Sequence, residues 1–140
     1  MKRIPETENL LVLRTDFSNQ AAWERICAII RKPVGVFRFR ANVDFVDDIE
    51  YAGITKDQLL ELLPKEYSHS FIILVDRTAT SLPNYPLLIV DLYERSGREF
   101  RAVPSQIQGI ENNLSIANMD FEEFAESVDE SGVFRGFPKS

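Results

Sequence analysis

Apolar positions along this chain form two kinds of pattern, short continuous runs and stripes at three- and four-residue spacing. Leu10-Leu11-Val12-Leu13 is a continuous run that predicts a strand over residues 9–17, buried on both faces. Ser18 then offers a helix N-cap, and Trp23, Ile26, Cys27 and Ile30 follow at helical spacing until Pro33 and Gly35 end the helix near Lys32. Phe37, Phe39, Ala41, Val43 and Phe45 alternate with Arg38, Arg40, Asn42 and Asp44, which predicts a strand over residues 37–46 with one wet face, at a sheet edge. Thr55 and Gln58 make a capping box before Leu59, Leu60, Leu62 and Leu63, a short helix closed by Pro64.

Phe71–Val75 and Leu87–Tyr93 predict two further strands, each apolar on both faces. The segment from Thr78 to Pro86 between them lacks helical periodicity and is too short for a parallel crossover, so the two strands run antiparallel. Ser96-Gly97 turns into a fifth strand over residues 99–103. Two more helices are expected, one opened by a capping box at Ser105–Gln108, the other by Asp120 with Glu123. Their apolar stripes are Ile107, Ile110 and Leu114, then Phe121, Phe124, Ala125 and Val128. Val133, Phe134 and Phe137 are expected to fold back onto the body.

That order of elements predicts a single α/β domain over residues 1–140, a three-layer sandwich around a five-stranded mixed sheet. The expected strand order is 2-1-3-4-5, with strands 4 and 5 antiparallel. A thioredoxin-like layout is the alternative, and the additional strand at Phe71–Val75 counts against it.

Composition narrows the function. The 140 residues carry a net charge of −6, with one histidine and one cysteine. Multi-cysteine metal sites, an internal disulfide and most histidine-based chemistry are thereby excluded. The charge is uneven: residues 1–40 sum to +4, while residues 41–70 and 105–140 each sum to −5. No dense Lys/Arg stripe suits a phosphate backbone, Arg38 and Arg40 coming nearest, so nucleic acid is not an expected partner. No apolar run is long enough to span a membrane, and the acids and proline of the first eight residues do not suit a signal peptide. A cytoplasmic protein with no membrane partner is the expectation.

Candidate chemistry lies where strand order reverses, beyond the carboxyl ends of strands 1 and 3. Arg14, Thr15 and Asp16 are expected there beside Asp76, Arg77 and Thr78. Asp16 and Asp76 could hold Mg²⁺ while an arginine faces a phosphate. Against this, there is no Gly-rich phosphate loop, no strand-end lysine and no second aspartate beside Asp16. No catalytic residue and no cofactor is therefore predicted. Asp91 interrupts an apolar strand and needs a partner. Asp47 and Asp48 read as a strand-ending turn, and His69 as a loop histidine without an orienting acid. Asn112, Asn113 and Asn118 form the densest amide cluster, suited either to helix ends or to an amide-lined recognition site.

Residues 9–17, Phe45-Val46-Asp47-Asp48, Tyr51-Ala52-Gly53, Val90-Asp91-Leu92-Tyr93 and the stretch from Ile110 to Phe124 carry a resemblance. The chain resembles a family of small acidic bacterial proteins known only as a domain of unknown function. The resemblance implies a bacterial, stand-alone cytosolic protein and supplies no activity or site residue. The resulting expectation is a non-enzymatic binding or regulatory protein acting on a protein partner or small ligand. The alternative is a small metal- or phosphate-dependent enzyme using Asp16 and Asp76, and a self-associating homo-oligomer is the third role considered.

Overall fold

The computed structural model describes residues 2–137; Met1, which begins the N-terminal stretch discussed above, lies outside them. Among the described residues six strands form one mixed sheet, β1 (Leu10–Arg14), β2 (Val43–Val46), β3 (Phe71–Val75), β4 (Leu87–Asp91), β5 (Glu99–Ala102) and β6 (Val133–Phe134). Their order is β2-β1-β3-β4-β5-β6. β1 is parallel to both β2 and β3, β4 is antiparallel to β3 and β5, and β6 runs parallel to β5. The expected order of five strands is met. The sixth strand is the part of the tail where Val133 and Phe134 were expected to fold back, and both are buried.

Alternation along the strands sorts the core into two layers. Leu10 and Val12, Phe71, Ile73 and Val75, Leu87 and Ile89 face α1 (Gln20–Arg31), α4 (Ile107–Ser115) and α5 (Phe121–Ala125). Leu11 and Leu13, Ile72 and Leu74, Leu88 and Val90 face α2 (Lys56–Leu62) and the N-terminal arm, where Ile4 and Tyr51 are buried. In the first layer Phe100 packs with Phe121, Phe124 and Phe134 at ring separations of 5.0–6.5 Å. Burying several such side chains contributes about 2 kcal/mol or more each before conformational entropy is counted.

Several boundaries differ from the sequence reading, each for a local reason. Asn19, not Ser18, caps α1 by accepting from the Ala22 N–H at 3.0 Å, because Ser18 is engaged with Asp16. A five-residue helix α3 (Arg77–Ser81) fills the connection in which no helix was expected, nucleated by Asp76 accepting from the Ala79 N–H. No capping box opens α4; Pro104 instead starts a tight 3₁₀ turn at Pro104–Gln106 that leads into it. The boxes at Thr55 and Gln58 and at Asp120 and Glu123 form as expected. The largest difference concerns residues 37–46. Only Val43–Val46 is strand, and it lies at the sheet edge as expected. Residues 34–39 instead double back as a small hairpin, with Val34 and Phe39 exchanging backbone hydrogen bonds of 2.7 and 2.9 Å. Positive φ at Gly35 and Arg38 breaks the extended run that the alternating pattern implied.

Candidate functional site

The carboxyl ends of β1 and β3 open into two concavities on opposite faces of the sheet. On the α2 side a cleft of about 460 Å³ is lined by Thr15, Asp16, Gly53, Lys56, Asp76 and Arg77, among others. The backbone builds it directly: the Thr15 and Asp16 N–H groups both donate to the Val75 carbonyl, and Gly53 N–H donates to the Thr15 carbonyl at 2.7 Å. The switch point thus brings Asp16, Asp76 and Arg77 to one cleft, as the strand order requires.

Each carboxylate there is already engaged by the protein. Asp16 accepts from Thr80 Oγ1 at 2.5 Å and from Ser18 Oγ at 2.9 Å. Burial pushes its pKa up, but the hydrogen bonds from Thr80 and Ser18 outweigh burial and hold it below the usual carboxylate value. Asp76 caps α3 and meets Arg101 in a two-pronged ion pair, with N···O distances of 3.0 and 2.8 Å. Arg14 is buried and does not line that cleft. Its guanidinium donates to the Asp16 carbonyl, Gln20 and Asp47 and lies over the Phe17 ring at 4.4 Å. Mg²⁺ favours six oxygens in octahedral array. Among the described residues no three His, Cys, Asp or Glu side chains converge as a metal would need.

The side-chain amides of Asn113 and Asn118 tie the α4–α5 connection together. Asn113 donates to the Gly109 carbonyl, and Asn118 donates to Asn113 Oδ1, both at 2.8 Å. The Asn112 carbonyl accepts from the Ile116 N–H at the end of α4, while Ala117 adopts positive φ. Asp91 is buried and paired with Arg98 at 2.6 Å, with Ser96 Oγ also donating to it. Asp47 pairs with Arg14, Asp48 with Lys2, and His69 Nε2 meets the Thr7 carbonyl at 2.7 Å. Burial pushes the Cys27 thiol up to about 11, so little of it is thiolate at neutral pH.

The concavity on the α1 side is larger, about 800 Å³, and sequence reasoning missed it. It lies between one face of α1, from Ala21 to Ile29, the loop after α3 and the turn before α4. Arg25, Asn84, Tyr85, Ser105 and Arg135 contribute its polar groups, and no Asp or Glu lines it. Arg25 takes part in no ion pair among the described residues; Arg135 is held by Asp129 at 2.7 Å. Asn84 and Tyr85 both have positive φ, 66° and 51°, a costly conformation for an aromatic residue that turns the chain along the groove wall. The signal available in sequence was the pair of prolines flanking Asn84-Tyr85; the convergence of Arg25 and Arg135, 110 positions apart, had none.

Among the described residues no helix is long and apolar enough to cross a membrane. A comparison with curated proteins finds no match. The segments that build both concavities, from β1 to the buried tail strand, lie within residues 9–137, and over that span the chain matches the model of a domain of unknown function (DUF6924), so it belongs to that family.

Proposed function

We propose that this chain is a cytoplasmic bacterial binding or regulatory protein without catalytic activity, and that it takes a small organic anion in the groove on the α1 side. One observation carries this reading: in a chain of net charge −6, a concavity of about 800 Å³ is lined by Arg25 and Arg135 and by no carboxylate. Largely apolar pockets with a few convergent polar groups are the usual ligand sites, and guanidinium groups suit carboxylate or phosphate oxygens. Binding in the groove would be read by a protein partner as a change in the loop at Asn84-Tyr85. The enzyme reading through Asp16 and Asp76 has the shared cleft in its favour, and the hydrogen bonds that occupy both carboxylates weigh against it.

The test is a thermal-shift and calorimetric screen of the full chain against inorganic phosphate, nucleotides, dicarboxylates, Mg²⁺ and Mn²⁺. A ligand at a hundred times its Kd adds about 2.7 kcal/mol, which for this size raises Tm by roughly 10 °C. The expected result is a shift with an organic anion that Arg25→Ala abolishes and Asp16→Asn retains. A shift with Mg²⁺ that Asp16→Asn or Asp76→Asn abolishes would replace this reading with the enzyme one.

A further inference from the structure

At the C-terminal end of α1 the hairpin at residues 34–39 projects between α1 and β2. Every residue from Val34 to Arg40 is exposed, and three of them are large and apolar: Val36 at 93%, Phe37 at 82% and Phe39 at 57%. The Phe37 and Phe39 rings pack against each other at 5.9 Å, so they form one apolar tip. A backbone turn from Gly35 to Arg38 fixes the apex, the Arg38 N–H donating to the Gly35 carbonyl at 3.1 Å. Arg31 and Lys32 precede the hairpin, Arg38 lies within it and Arg40 follows it. Between Glu24 and Asp44 the chain carries five basic residues and no acid, although its net charge is −6.

We propose that this hairpin docks on an anionic lipid surface, with Val36, Phe37 and Phe39 entering the headgroup region and Arg31, Lys32, Arg38 and Arg40 pairing with lipid phosphates. The argument is the charge and the order of residues. Apolar groups occupy the tip and cations flank it, the sequence of environments met on moving from acyl chains to phosphates. A lipid interface needs no complementary pocket, which suits a convex tip. The remainder of the chain is strongly acidic, so an anionic surface would also orient the molecule, hairpin first.

Co-sedimentation of the full chain with phosphatidylcholine vesicles, with and without phosphatidylglycerol, tests the proposal. Binding is expected only to the vesicles containing phosphatidylglycerol, and it should weaken as salt rises. The Phe37→Ser/Phe39→Ser and Arg38→Gln/Arg40→Gln variants should each lose more than about tenfold in partitioning, as expected for removing two interfacial contacts. Both should keep the parent Tm, which separates lost docking from lost folding. Free inorganic phosphate should not compete, which separates a lipid surface from a soluble anion in the groove.

No binding to phosphatidylglycerol vesicles overturns the proposal, as does unchanged binding by either double variant. Growth in mass by sedimentation velocity that the hairpin variants lose, without vesicle binding, would assign the hairpin to a second copy. Binding to polyglutamate but not to vesicles would assign it to an acidic polypeptide. Loss of vesicle binding in Arg25→Ala with normal binding by both hairpin variants would move the lipid contact to the groove.

Discussion

The cleft at Asp16 and Asp76 and the hairpin at residues 34–40 both concentrate charge, and they treat it in opposite ways. In the cleft each carboxylate is met by hydroxyls, a backbone N–H or a guanidinium. In the hairpin Arg38 and Arg40 form no ion pair among the described residues, and the apolar side chains of Val36, Phe37 and Phe39 beside them lie in solvent. Charges that are fully satisfied internally hold structure together; those left open beside exposed apolar surface are available to something outside. The difference moves the functional expectation away from the pair of aspartates and toward the arginines without an ion pair among the described residues, Arg25 in the groove and Arg38 and Arg40 in the hairpin.

Substitutions in the two regions should therefore differ in what they cost. The largest effect is expected at Asp91, a buried carboxylate that obeys the same rule as those in the cleft. Asp91→Asn removes its pair with Arg98 and should cost about 2–3 kcal/mol in urea melts. An unchanged midpoint would show that buried carboxylates in this protein are not structural. Arg101→Ala leaves Asp76 half-buried without its ion pair and should cost about 2 kcal/mol. If that variant melts normally and gains Mg²⁺ affinity, the cleft belongs with the hairpin as an open site.

Asp16→Asn should cost about 1–2 kcal/mol at neutral pH, since Thr80 and Ser18 lose a charged acceptor. Its signature is the pH dependence. The folded-state pKa lies below the ordinary 3.8, so the stability Asp16 adds is present above that value and is lost as pH falls through the folded pKa. The gap between variant and parent should narrow as urea melts are taken to lower pH. A constant gap would show that the carboxylate charge is not what matters. The smallest effect is expected in the hairpin, where Phe37→Ser/Phe39→Ser should change stability by less than about 0.5 kcal/mol. A loss of several times that would mean the two rings pack inward in solution and would erase the contrast between the regions.

How much of this was legible in advance depended on whether neighbours in sequence made the feature. The run Phe71–Val75 gave its strand to the residue, because five apolar residues buried on both faces have no other role in an α/β sheet. The sheet order followed from crossover handedness and the short β3–β4 connection. Residues 37–46 misled because perfect alternation is also what a hairpin with one wet and one apolar side displays, and Gly35 decided between them. Asp76 shows the limit within the site. Its position was predicted, but Arg101, its partner 25 residues on, was not, because only β5 beside β4 brings them together.

What the chain alone determined is the local grammar: the first five strands' order, the helices with clear apolar stripes, two capping boxes, the α/β class, the acidic balance and the scarcity of histidine and cysteine. These are set by periodicity and by residue counts, which need no third dimension. Only the tertiary structure decided which charges are quenched and which are open. Pairing and burial depend on residues far apart in sequence, as with Arg14 and Asp47, Arg25 and Arg135, or the hairpin that the sheet leaves uncovered.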